Sequence, residues 1–209
     1  MTPLSCEPAI DCHVHVFDPL RFPYAADTWY RPGPAETGTV MHLGQVLDAH
    51  HVPHAVIVGP NSGYGLDNRC MLDALAQGQG RYKGIAVVRN DASAGELQDL
   101  QAQGVVGVAL NVALLGTAFY ADIADLLQRL RDLGLWAQIQ VQDDQLVELN
   151  GLLLDSAERR LRTAAALPFE RILGESEGLK AVLRQVDRLA PVNTTVLITG
   201  ESGTGKELI

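Results

Sequence analysis

Short apolar runs and amphipathic stretches take turns along the first three-quarters of this chain. That rhythm restricts the fold more than any single residue does. Strands are expected at Ile10–Phe17, Ala55–Val58, Gly84–Val88, Val105–Val112 and Leu135–Val141. Between them the spacing predicts helices over Val40–His51, with Leu43, Val46 and Leu47 on one face, and over about Asn68–Ala76. Ser93 with Glu96 three residues later is a capping-box signature for a third helix. Tyr120–Leu133 and Asp143–Leu154 read as two more. Five strand–helix repeats are the pattern of a parallel α/β sheet or barrel.

The first strand carries the most chemistry. In Ile10-Asp11-Cys12-His13-Val14-His15-Val16-Phe17, period-two alternation puts Asp11, His13 and His15 on one face and Cys12 and Val14 on the other. Two imidazoles on one face of a strand can ligate a metal or polarise a carbonyl; two satisfied histidines at a strand end are the plainer alternative. The next connection, Asp18 to Gly38, is rich in Pro and Gly and too long for an ordinary strand–helix link; such loops usually carry function or are disordered. Strand two ends in Gly59-Pro60 and a polar loop, Asn61-Ser62-Gly63-Tyr64-Gly65. On strand five, Gln138, Gln140 and Gln142 alternate with Ile139 and Val141, so in a barrel the glutamines would face the lumen.

After Leu154 the rhythm breaks. Up to Asp155 there are 8 Lys+Arg against 18 Asp+Glu, and from Ser156 onward 8 against 7, which marks two unlike pieces. Ser156–Ala166 reads as a charged helix or linker, followed by an amphipathic helix to about Ala190 and a strand at Thr195–Thr199. The chain closes on Gly200-Glu201-Ser202-Gly203-Thr204-Gly205-Lys206-Glu207, a G-x-x-x-x-G-K phosphate loop after an apolar strand. Its glycines let backbone N–H groups converge on phosphate oxygens, and Lys206 adds a cation. A chance glycine-rich turn is the alternative, at odds with the strand before it.

With 47% hydrophobic residues the chain can bury a real core, and a net charge of −9 argues against general nucleic-acid or membrane-surface binding. No stretch has the length of a membrane span, and Met1–Ala9 does not read as a signal peptide. Three cysteines (Cys6, Cys12, Cys70) without C-x-x-C spacing read as free thiols, which suits the cytoplasm.

Asp11-Cys12-His13-Val14-His15-Val16-Phe17, followed by Arg21-Phe22-Pro23-Tyr24, then Leu66-Asp67-Asn68-Arg69 and Gly84-Ile85-Ala86-Val87-Val88, resembles the amidohydrolase-related family over about residues 10–154. The likeness is to its lactone-hydrolysing, 2-pyrone-4,6-dicarboxylate hydrolase-like branch. It implies a (β/α)8 TIM-type barrel with chemistry at the strand C-termini. By that resemblance His13 and His15 are catalytic, either binding a divalent metal that activates water or polarising the scissile carbonyl without one. Asn61, Ser62 and Tyr64 become substrate contacts, and the substrate a lactone or related carboxylic ester. Lactonase relatives offer an arginine on strand four, where this chain has Val108-Ala109-Leu110-Asn111, so carboxylate recognition would fall to Arg21, Arg31 or Arg89. No segment matches the family's later histidine and general-base aspartate. The barrel is therefore expected to be incomplete, with about five βα units, and this truncated fusion is expected to be inactive.

Gly-Glu-Ser-Gly-Thr-Gly-Lys-Glu, with Gly174-Glu175-Ser176 upstream, resembles the AAA+ domain of sigma-54-dependent transcriptional activators over about residues 169–209. It implies ATP and magnesium at Gly200 to Glu207, with Glu207 normal for that family, and only the first helix, strand and phosphate loop of the domain. Sigma-54 RNA polymerase would be a partner only of a complete domain, and no DNA-binding motif is visible. The expected organisation is a partial barrel at 1–154, a linker at 155–168 and an AAA+ fragment at 169–209. Three readings follow: a hydrolase, an ATP-binding regulator fragment, and a non-functional fusion product.

Overall fold

The computed structural model describes residues 9–149 and the backbone of 194–198. These residues form two compact units, one running to Arg89 and including Ala94–Ala109, the other containing Asn90–Ser93 and the chain from Leu110 onward.

The first unit contains β1 (Ile10–Val14), β2 (His54–Val58), β3 (Tyr82–Ala86) and most of β4 (Val105–Asn111). They lie side by side in that order, every neighbouring pair parallel. Helices α1 (Val40–Ala49), α3 (Arg69–Gly78) and α4 (Ala94–Ala102) return the chain from one strand to the next, and a one-turn segment α2 (Asn61–Tyr64) follows β2. The first helix starts where Thr39 accepts from the His42 N–H while the His42 ring accepts from the Thr39 N–H, a capping box with histidine in the acidic position. It buries Leu43 and Leu47, one turn apart. α3 buries Cys70, Met71, Ala74 and Leu75, which share a core with Ala55, Ile57, Tyr82 and Ala86 of the strands.

Two expectations are corrected in this unit. β1 ends at Val14, and its register with β2 slips between Asp11 and Val14, where three steps on β1 face two on β2. That bulge breaks the strict two-face alternation, and Cys12 and His13 are both exposed. β3 begins two residues before the expected start, because Tyr82 is a core side chain at 5% exposure.

The second unit contains α5 (Val112–Leu115), a 3-10 turn at Thr117–Tyr120, α6 (Ala124–Leu133), β5 (Trp136–Val141), a helical stretch at residues 145–149 and β6 (Thr194–Ile198). β5 and β6 run parallel. α6 buries Leu126, Leu127 and Leu130 and ends at Gly134 in the left-handed conformation, where Leu135 N–H reaches back to the Leu130 carbonyl. The expected helix start at Tyr120 is corrected to Ala124: Tyr120 stands in the 3-10 turn, and its buried hydroxyl accepts from the Asn111 N–H at 2.9 Å. On β5 the alternation holds, with Ala137, Ile139 and Val141 buried at 3%, 0% and 6%. The glutamines open progressively along the chain: Gln138 is buried, Gln140 half-buried and Gln142 exposed.

No helix among the described residues is long and apolar enough to cross a membrane. The linker and the phosphate loop lie outside the described residues.

Candidate active site at the end of the first strand

His15 stands one residue past the end of β1. Its Nδ1 lies 2.8 Å from the carbonyl of Val58, the last residue of β2. A carbonyl can only accept, so Nδ1 carries the proton and donates it, and in the neutral ring Nε2 holds the lone pair. His13 meets His15 edge to face, with ring centroids 5.0 Å apart and planes at 85°. His13 is exposed as a residue, yet its ring is partly shielded. Burial lowers its pKa first, proximity to His15 lowers it further, and Asp11 opposes both. The Asp11 carboxylate also accepts from the His13 N–H at 3.1 Å, closing the bulge on itself.

Beneath the histidines lies an aromatic platform. Phe17 and Tyr64 stack at 5.8 Å, Tyr24 meets Tyr64 at 5.3 Å, and His15 approaches Phe17 at 6.3 Å. Tyr64 is 2% exposed and its hydroxyl accepts from the Asp18 N–H at 3.0 Å. Burial holds its pKa well above the ordinary tyrosine range. Tyr64 thus supports the loop after β1, while Asn61 and Ser62, both half-buried, stand at the end of β2 on the turn beside it.

The turn is not a true helix, because Ser62 and Gly63 leave helical geometry. Gly63 has φ +74°, and a Cβ there would lie 2.7 Å from the Tyr24 ring. Only glycine fits both conditions. Its N–H points to the Thr28 hydroxyl and the Tyr30 carbonyl, each at 2.9 Å, and its carbonyl accepts from Ala25 at 2.8 Å. The long loop after β1 is therefore fastened to the turn after β2. At its near end Arg21 grips Asp73 of α3 with two bonds of 2.7 and 2.9 Å. Tyr30 bonds Glu36, and Tyr24 donates to the Pro32 carbonyl at 3.1 Å.

These contacts sort the three arginines. Arg21 is committed to Asp73, and Arg31 donates to the Ala25 and Ala26 carbonyls. Arg89, three residues past β3, is exposed. Residues that the sequence did not single out fasten the site: the Val58 carbonyl, Thr28 and Asp73. Among the described residues no three His, Cys, Asp or Glu side chains come together to hold a metal ion. A catalytic zinc site uses three protein ligands and a water, so this pair does not complete one.

The profile of the amidohydrolase family matches residues 10–181. The chain belongs to that family. It is similar to the 2-pyrone-4,6-dicarboxylate hydrolase of Comamonas testosteroni, 31% identical over 148 residues, which are 68% of this chain and 46% of that protein. In structure it is similar to a protein of Acinetobacter baumannii described as a probable 2-pyrone-4,6-dicarboxylic acid hydrolase with citric acid bound. The TM-score is 0.59 at 33% identity, over 70% of this chain and 54% of that one. The chain thus spans about half the length of these relatives, and the architecture it shares with them is a partial TIM-like barrel. The profile of the sigma-54 interaction domain matches residues 172–209. There the chain is similar to the formate hydrogenlyase transcriptional activator FhlA of Escherichia coli, 56% identical over 41 residues, 20% of this chain and 6% of that protein.

Proposed function

We propose that the histidine pair at the end of β1 acts on the acyl carbon of a lactone or related carboxylic ester, with Asn61 and Ser62 touching the substrate. One observation carries this reading: the Val58 carbonyl fixes the His15 proton on Nδ1 while His13 stands 5.0 Å away. Nε2 of neutral His15 is a base able to accept a proton from water. The depressed pKa of His13 keeps it neutral near pH 7, and a neutral imidazole N–H can donate to a developing oxyanion. Water adds to the acyl carbon and its proton passes to His15. The acyl C–O bond breaks, and the departing ring oxygen takes that proton. The sequence of the hydrolase relative supports the substrate class.

The test is hydrolysis of pyrone carboxylates by the whole chain, followed by loss of the ring's ultraviolet absorbance, together with ligand-induced shifts of the two imidazoles in NMR spectra. The sequence alone implies an inactive chain for want of the family's later histidine and aspartate, but the chemistry written here needs neither, so turnover is expected. His13→Ala and His15→Ala are each expected to abolish it, and the ligand to move both ring signals. Turnover that survives both substitutions, or imidazoles that the ligand leaves unmoved, overturns the reading.

For residues 172–209 the match to the sigma-54 interaction domain supports a second reading, nucleotide binding at Gly200–Glu207. β6 is a strand that ends two residues before Gly200, as a phosphate loop requires. Mg-ATP is expected to raise the melting temperature of the whole chain but not of Lys206→Ala, and equal shifts in both would sink the idea.

A further inference from the structure

Asn68 occupies the N-cap position of α3, where an asparagine ordinarily accepts from a backbone N–H of the first turn. Here its side chain makes no cap bond, and Asp67 accepts from the Arg69 N–H instead, at 3.0 Å. The Asn68 amide is directed to the end of β3. Its Oδ1 accepts from the Val87 N–H at 3.0 Å and its Nδ2 donates to the Val87 carbonyl at 2.8 Å, with a further donation to Leu66 at 3.3 Å. Side-chain carbonyl and amide together hold one residue's backbone from both sides, as a neighbouring strand would.

The same oxygen lies beside Gly59, the residue that follows β2. Oδ1 lies 3.0 Å from the point a Cβ on Gly59 would occupy, and the Gly59 N–H donates to the Ile85 carbonyl at 2.8 Å. Gly59 shares its peptide with Val58, whose carbonyl accepts the hydrogen bond from His15 Nδ1. Any tilt of that peptide turns the carbonyl away from Nδ1.

We propose that Asn68 is a positioning residue for His15: locked onto Val87, it fixes the Val58–Gly59 peptide and thereby which ring nitrogen of His15 is protonated. Its functional meaning rests on the reading of His15 as the base, but the proposal itself concerns a tautomer and is tested without substrate.

Long-range proton–nitrogen NMR of the full chain distinguishes the two neutral tautomers, with the His15 signals identified by their loss in His15→Gln. The wild-type chain is expected to show the Nδ1–H form. Asn68→Ala is expected to shift the dominant form to Nε2–H. Asn68→Asp keeps the shape and accepts from Val87 but cannot donate, and is expected to fall between. Each variant is read well below its own melting temperature. If Asn68→Ala does not fold, Asn68→Asp and Gly59→Ala, whose methyl would push against Oδ1, serve in its place. A wild-type Nε2–H form overturns the proposal. So do folded variants that lose thermal stability while the His15 tautomer stays unchanged, since a merely structural asparagine would do just that. Hydrolysis is not part of the readout, so failure of the lactone reading shows separately.

Discussion

Two buried tyrosines each hold a backbone N–H at or beyond the end of a strand, in the same manner and to different effect. Tyr64 accepts from the N–H of Asp18, 46 residues earlier, and Tyr120 accepts from the N–H of Asn111, nine residues earlier. Burial raises the pKa of both phenols, so each stays a neutral hydroxyl. Tyr120 closes a single connection on itself, beneath the exposed Leu114, Leu115 and Phe119. Tyr64 ties the connection after one strand to the turn after the next, inside a stack with Phe17 and Tyr24. A local tether shapes one loop. A long-range tether couples two βα repeats, and the histidine pair stands beside the coupled one.

Breaking the coupling at its tightest point should cost most. Gly63→Ala would force a methyl onto the Tyr24 ring in a left-handed backbone. Overpacking and unfavourable φ together are expected to destabilise the chain by about 3 kcal/mol, read as a lowered urea midpoint. Tyr64→Phe and Tyr120→Phe each leave a backbone N–H without its acceptor, a loss of about 1–2 kcal/mol. The comparison predicts different reach: after Tyr64→Phe hydrogen exchange should quicken at Asp18 and also across 24–30, whereas after Tyr120→Phe it should quicken only around 111–120. Equal reach would erase the distinction between the two tethers.

The smallest effect is electrostatic. Hydrogen bonding to Arg21 holds the Asp73 carboxyl below its usual range. The folded value is depressed, so the stabilisation is complete above the unfolded value of about 3.9 and disappears as pH falls through the folded one. Arg21→Gln is expected to lower the urea midpoint slightly at neutral pH, since the pair is partly exposed, and to lower it less as pH falls, which leaves a shallower acid limb. An unchanged acid limb would show that Asp73 gains nothing from its partner.

The architecture was legible because periodicity is local: every expected strand from β1 to β5 is present within a few residues. The closeness of the His13 and His15 rings was expected as well, from two residues of separation on one extended segment. The bulge in β1 was not, since alternation presumes even pairing and only the register with β2 reveals the extra residue. Arg21 read as one of three candidates for a substrate carboxylate because nothing near it in the chain announces Asp73, 52 residues away. Tyr64 read as a substrate contact, one polar residue among several in a polar loop. Its commitment to Asp18 is decided by stacking partners far along the chain. Asn68 could have been suspected, as an asparagine at a helix start beside an aspartate able to cap in its stead.

The pairing of β5 with β6 has a consequence of its own. β5 lies in the stretch that matches the amidohydrolase family, and β6 in the stretch that matches only the sigma-54 interaction domain. Five residues nevertheless run in step, Ala137 opposite Thr194 through Val141 opposite Ile198. A sheet edge offers main-chain donors and acceptors alone and asks of a newcomer only length, direction and apolar character. Such an edge does not inspect ancestry, so segments that match unlike families can run on as one continuous fabric.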